Sequence, residues 1–232
     1  IVTGPNAWYQ TYDVVGLNGN ATFVYANQIE LNDADGNSFF DYDENVKFNI
    51  DFYNAGNINV NNVTATLTAV STDYVEIVDS DVSIGTIESE ATKTINDAFD
   101  VKVKNNVPDQ EYVFFALSMT DGTNTWKQDL IYKIQAPIFE IYDLSYSDEL
   151  GNNNGFVDAG ETLKIYFKIR NVGSSKSDNI IVEASSSNQY VSFEDNSLEL
   201  DELDVNESVE SYFTVNIDQN TIDGEQFSID VD

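Results

Sequence analysis

Setting Glu44 against Glu161 aligns DYDENVKFNIDFYNAGNINVNNVTATL with DAGETLKIYFKIRNVGSSKSDNIIVEA, and every aligned pair is 117 residues apart. Asn54 meets Asn171, Gly56 meets Gly173 and Val63 meets Ile180. With small shifts the match continues: Tyr74-Val75 against Tyr190-Val191, Phe99 against Phe213, and PDQEYVFF against IDGEQFSI. A chain that repeats itself at this spacing has to fold one module twice.

The module is built from strands. Apolar and polar residues alternate in VKFNIDFYN (Val46 to Asn54), NVTATLTAV (Asn62 to Val70), FDVKVK (Phe99 to Lys104) and YVFFALSM (Tyr112 to Met119), the period of a strand with one buried face. Thirteen Tyr and fourteen Phe against a single Met also suit pleated strands, and no segment keeps a helical period. A repeat of roughly 115 residues cut into about seven short strands is that of an immunoglobulin-like sandwich, with a jelly roll as the alternative, and is too long for a propeller blade. The expected fold class is therefore all-β, with tandem immunoglobulin-like sandwiches. The expected boundaries are 21–137 and 138–232, joined by the short, stiff linker QAP (Gln135 to Pro137).

The second copy stops after FSIDVD, before any counterpart of TDGTNTWKQDLIYKI (Thr120 to Ile134), so it is expected to lack its last strand. AWYQTYDVV (Ala7 to Val15) resembles TWKQDLIYK (Thr125 to Lys133), with Trp8 over Trp126 and Gln10 over Gln128. Residues 1–20 thus read as the end of a preceding module, and the chain as a mature or excised piece. Strand exchange between copies follows as one expectation, and packing of residues 1–17 on the first module as the other.

Forty-one acidic residues against ten basic give a formal charge of −31, which repels a phosphate backbone or an anionic membrane surface and favours divalent cations. Nucleic acid is not an expected partner. With no Cys and no His, disulfides, thiolate sites, cysteine nucleophiles and the commonest general base are all excluded. No apolar run approaches the ~20 residues that cross a bilayer, so membrane insertion is not expected.

The acidic turn NDADGNSFFDYDE (Asn32 to Glu44) carries the clearest chemistry. Counted from Asp33, it sets Asp33, Asp35, Asn37, Phe39, Asp41 and Glu44 at positions 1, 3, 5, 7, 9 and 12, the ligand spacing of a calcium loop. Alternate residues send oxygens inward, position 7 offers a carbonyl, and the carboxylate at 12 closes the site. Gly36 falls at position 4 instead of 6 and a strand follows, so a calcium turn outside an EF-hand is expected. In the second copy Asn152, Asn154, Asp158 and Glu161 recur at positions 3, 5, 9 and 12, but Leu150 stands at position 1 and Asp148, two residues earlier, is the substitute. Fewer charges predict weaker binding there. The alternative for both turns is a solvated loop held by Asx-turns.

Other features point less sharply. Asp41, Asp43 and Glu44 crowd one turn instead of flanking a cleft as glycosidase carboxylates do. DGT at Asp121 to Thr123 reads as a hairpin turn. Trp8 and Trp126 suit either a sugar-stacking surface or a core. The triplets at Asn20, Asn62 and Asn206 are glycosylation acceptors only in a eukaryotic secretory setting.

The pattern of an Asp/Asn-rich turn, GE or DE, an alternating strand, N-x-G and then N-hydrophobic-x-hydrophobic-x-A resembles the repeated immunoglobulin-like modules of secreted Bacteroidetes proteins. It is most similar to those that follow the catalytic domain of gingipain-type cysteine peptidases. DAGETLKIYFKIRNVGSSKSDNI (Asp158 to Ile180) carries it best; in the first copy Asp43 replaces the glycine of the family's turn. The resemblance implies a secreted or surface-exposed, non-catalytic region that spaces, stabilises or targets a neighbouring catalytic domain of the same polypeptide. An adhesin or carbohydrate-binding module, with a host protein or glycan as partner, is the alternative.

Overall fold

The computed structural model describes residues 19–71 and 73–232. The proposed end of a preceding module, including Trp8, falls almost wholly outside the described residues. These contain strands, turns and no α-helix. The chain divides between Gln135 and Ala136 into two compact units, a split that falls within QAP.

In the first unit, β1 (Val24–Asn32), β3 (Asn45–Asn54), β7 (Thr92–Val103) and β5 (Val75–Asp79) form a sheet in the order β1-β3-β7-β5. A second sheet runs β2-β9-β8-β4-β6, from β2 (Phe40–Asp41), β9 (Thr125–Gln135), β8 (Tyr112–Thr120), β4 (Val60–Ala69) and β6 (Asp81–Ile87). All pairings are antiparallel except that of β2 with β9. The second unit repeats the plan. Its first sheet is β10 (Phe139–Ser147), β11 (Thr162–Asn171), β15 (Ser208–Ile217) and β13 (Val191–Phe193), in the order β10-β11-β15-β13. Its second is β14-β12-β16, from β14 (Ser197–Leu200), β12 (Ile180–Ser185) and β16 (Asp230–Val231). Strand order therefore follows the 117-residue repeat: β10, β11, β15 and β13 stand where β1, β3, β7 and β5 stand. Among the described residues no strand of the second unit corresponds to β2 or β9.

The architecture of several sheets with apolar inner faces is consistent with a β-sandwich. Alternation does the sorting, since successive side chains of a strand leave opposite faces. In β3 the buried residues are Val46, Phe48, Ile50, Phe52 and Asn54, and in β8 they are Val113, Phe115, Leu117 and Met119. Phe48 meets Phe115 of the other sheet edge-on at 6.2 Å. The second core gathers Leu163, Phe167 and Ile169 of β11, Val182 and Ala184 of β12, and Phe213, Val215 and Ile217 of β15.

Each β3-type strand ends on a fully buried asparagine, and the reason is a turn. Asn54 Oδ1 accepts from the Gly56 N–H (2.9 Å) while its Nδ2 donates to the Ile58 carbonyl (2.8 Å). Asn171 repeats this with the Gly173 N–H (3.0 Å) and the Ser175 carbonyl (2.8 Å), and its Nδ2 also reaches the Leu203 carbonyl (3.1 Å). The glycine of N-x-G is needed for room: a Cβ on Gly56 would stand 2.3 Å from the Ala21 carbonyl oxygen, and one on Gly173 2.3 Å from that of Ala136.

Asn171→Ala strands two buried carbonyls and a buried N–H, so it is expected to lower the stability of the second unit by about 1–3 kcal/mol. Urea unfolding followed by the fluorescence of the aromatic residues measures this; an unchanged midpoint refutes the role assigned to the amide.

Candidate metal centre

Residues 33–44 link β1 to β3, and residues 148–161 link β10 to β11. Both loops turn by left-handed residues in register: Gly36 and Asn153 (φ 74 and 57), Ser38 and Gly155 (64 and 85), Asp43 and Gly160 (57 and 79). Asp43, in the place of Gly160, adopts the conformation that Gly160 takes at no steric cost. The two loops therefore share a backbone path and differ in how their carboxylates are answered.

In the first loop, oxygens of Asp33, Asp35 and Glu44 lie within 4.8 Å of one another. A calcium ion, with oxygens at about 2.4 Å on each side, holds its ligands no more than about 5 Å apart. Both carboxylate oxygens of Asp33 are shut off from solvent and receive no hydrogen bond, and so is Oε2 of Glu44. Glu44 Oε1 accepts from the Ala34 N–H at 2.8 Å. The remaining groups are braced by Asn37. Its Nδ2 donates to Asp35 Oδ2 (2.8 Å) and to buried Asp41 Oδ2 (2.6 Å), and its Oδ1 accepts from the Phe39 N–H (2.7 Å). Burial raises the Glu44 pKa, and the charges of Asp33, Asp35 and Asp41 add to that shift against the opposing Ala34 N–H. Asp43 faces elsewhere and pairs with Lys102 at 2.7 Å. The arrangement is a pocket of mutually repelling oxygens with the dimensions of a hard-cation site.

The second loop answers its own charges. Glu161 is buried, and its two oxygens accept from the N–H groups of Asn152 (2.8 Å) and Asp158 (3.1 Å). Asp148 is also buried, with Oδ2 on the Gly155 N–H at 2.8 Å. Asn152 and Asn154 each donate Nδ2 to Asp158 Oδ2 at 2.8 Å, which holds the Asp158 carboxyl below the usual carboxylate range. Leu150, in the place of Asp33, is exposed. Glu161 lies against Gly151, where a Cβ would come within 2.0 Å of its Oε1; the first loop has Ala34 at that position, and Glu44 Oε1 bonds the Ala34 N–H instead. The Ala34/Gly151 difference is visible in the alignment, but nothing in it says that a glutamate lies against that residue.

Trp126 sits opposite fully buried Met119 in the β8–β9 register and is itself half-buried.

No protein-family model matches the sequence, and no curated protein matches it. Among solved structures, the chain is similar to the YadV chaperone at 9% identity and a TM-score of 0.29, over 88% of this chain and 90% of that one. It is similar to a Porphyromonas gingivalis protein of unknown function at 12% and 0.27, over 85% and 83%. It is also similar to E. coli alpha-2-macroglobulin at 10% and 0.31, over 88% and 16%. At these TM-scores the likenesses are weak and carry no functional argument.

Because the folded pKa of Glu44 is raised above its ordinary 4.5, the folded chain binds that proton more tightly than the unfolded one. Its contribution to stability is fully present below about 4.5 and is lost as pH rises through the raised value. In chelator, the melting temperature of the wild type relative to Glu44→Gln is expected to climb as pH is lowered from neutrality towards 4.5. A pH-independent difference between the two melting curves contradicts the assigned shift.

Proposed function

We propose that this chain is a non-catalytic structural region of a secreted or cell-surface protein, built of tandem immunoglobulin-like sandwiches and stiffened by calcium. The observation that carries the reading is Asp33, whose two carboxylate oxygens are buried without a donor beside Asp35 and Glu44. Leaving a charge in that condition is costly unless a cation completes it. Asp33, Asp35, Asn37, Asp41 and Glu44, with the Phe39 carbonyl, would hold the ion. Binding requires Asn37 to turn its amide oxygen inward in place of the Nδ2 that braces Asp35 and Asp41. Oxygen-only donors and the absence of His and Cys favour calcium over zinc or copper.

The location of the loop supports a mechanical role. Phe40 and Asp41 pair in parallel with Ile134 and Gln135, and the Tyr42 N–H donates to the Gln135 carbonyl at 2.9 Å. An ion drawing Asp33, Asp35 and Glu44 together therefore grips the last residues of the first unit, where the chain leaves for Ala136. In the second loop the internal hydrogen bonds supply most of what a cation would, which favours weak binding by Asp148, Asn152, Asn154, Asp158 and Glu161.

The resemblance of Asp158 to Ile180 to peptidase-associated modules supports a place beside a catalytic domain, with neighbouring domains of the same polypeptide as partners. The adhesin or glycan-binding alternative has less support, because Trp126 is half-buried; Trp8 lies outside the described residues.

Scanning calorimetry with calcium and with chelator tests the reading. Saturation at about 100 times the dissociation constant adds roughly 2.7 kcal/mol to the domain that binds. Asp33→Asn is expected to remove most of that gain while leaving the chelator-treated protein no less stable, since it relieves an unanswered charge. Asn154→Ala is expected to leave most of the calcium gain intact. Superimposable traces with and without calcium overturn the proposal.

A further inference from the structure

The two acidic loops hold one asparagine in the same way and follow it with different residues. Asn37 and Asn154 are aligned partners in the repeat, with Ser38 after the first and Gly155 after the second. Asn154 Oδ1 accepts from the Phe156 N–H (2.8 Å) and its Nδ2 donates to Asp158 Oδ2 (2.8 Å). Asn37 does the same with the Phe39 N–H (2.7 Å) and Asp41 Oδ2 (2.6 Å). What differs is access to the amide carbon. The backbone nitrogen of the residue after an asparagine can attack its Cγ and close a succinimide ring, and a side chain on that residue crowds the attack. Gly155 has none.

Two contacts already in place suit that reaction. The Gly155 N–H donates to Oδ2 of buried Asp148 at 2.8 Å, so a carboxylate stands ready to take its proton as the nitrogen attacks. The Phe156 N–H, bonded to Asn154 Oδ1, receives the negative charge that develops on that oxygen. The chain from Glu149 to Gly160 is exposed, so water reaches the ring once it has formed.

We infer that Asn154 is a self-modification site, converted to an acid by attack of the Gly155 nitrogen with Asp148 as proton acceptor. The Gly155 nitrogen bonds to Cγ, the Cγ–Nδ2 bond breaks, and the proton relayed by Asp148 leaves with Nδ2 as ammonia. Water then opens the ring. Cleavage of the new C–N bond gives an aspartyl residue; cleavage of the original peptide C–N bond gives an isoaspartyl residue whose chain continues through Cγ. Either route consumes a water and releases an ammonia, with no oxidant or reductant.

The product moves the second loop towards the condition of the first. Asp158 Oδ2 loses the Asn154 Nδ2 donor and faces a new carboxylate in its place, in a loop that already buries Asp148 and Glu161. This consequence rests on the calcium reading of the loops: the added negative charge strengthens a cation site that is weak for want of one.

Peptide mass spectrometry of the full chain, incubated with chelator, tests the reaction without reference to calcium. It also separates Asn154 from Asn18–Gly19, the chain's other Asn-Gly pair. The folded wild type is expected to gain the acid at Asn154 and keep the amide at Asn37. Gly155→Ser, which reproduces Ser38 where nothing obstructs a Cβ, is expected to spare Asn154. Asp148→Asn is expected to slow conversion in the folded chain by at least about tenfold, a conservative share of what a positioned base supplies, and to leave the rate in urea unchanged. An amide that persists at Asn154 in the folded chain after the urea-unfolded chain has converted overturns the inference. Equal folded rates for wild type and Asp148→Asn overturn it too. Scanning calorimetry of Asn154→Asp reads the consequence, with a lower melting temperature in chelator and a larger rise on adding calcium than the wild type shows. If Asn154 converts but Asn154→Asp gains no larger rise, the calcium reading of the second loop fails and the reaction stands.

Discussion

The inner face of every sheet has to be covered, and most of what distinguishes the two units follows from that constraint. Burying apolar area at roughly 25 cal/mol per Å2 is the main return on folding, and strands collect it only when a second sheet closes over them. In the first unit nine strands achieve this, with Phe48 and Phe115 meeting between the sheets and Tyr132 completing the aromatic group around Phe40. In the second, seven strands repeat the plan and leave Phe139 and Val157 open. Among the described residues the second unit thus repeats the module without counterparts of β2 and β9.

The complementary constraint is that polar groups taken inside have to be answered. Asn54 and Asn171 meet it completely: each amide satisfies the turn that follows it, and the glycine two residues on allows the chain to pass close by. The acidic loops meet it unequally. The second loop answers the Glu161 carboxylate with two backbone N–H groups, whereas the first leaves Asp33 and part of Glu44 without a protein donor. The proposed division of labour between a strong and a weak cation loop comes from this contrast.

The acidic composition connects these local facts to the behaviour of the whole. Forty-one carboxylates on 232 residues repel one another, and the proposed cation at Asp33, Asp35 and Glu44 would relieve the crowding where burial makes it most costly. The same repulsion opposes any contact between copies, and salt screens it.

Strand content, duplication and the candidate ligands were legible in the sequence because each rests on a local period. Alternation marks a buried face whatever covers it, a 117-residue offset marks a repeat, and ligands at every second position mark a turn that points oxygens inward. The motif N-x-G was equally visible, but not the fact that its amide is buried and reaches Leu203, thirty-two residues further on. Tertiary structure alone decided which loop leaves its carboxylates unanswered, because the seat of Glu161 depends on its contact with Gly151 across the loop. It also decided that Phe40 is sealed and Val157 is not. Identity and spacing state what a side chain can do; whether it is satisfied depends on which other strand arrives beside it, and that is settled only when distant segments pack.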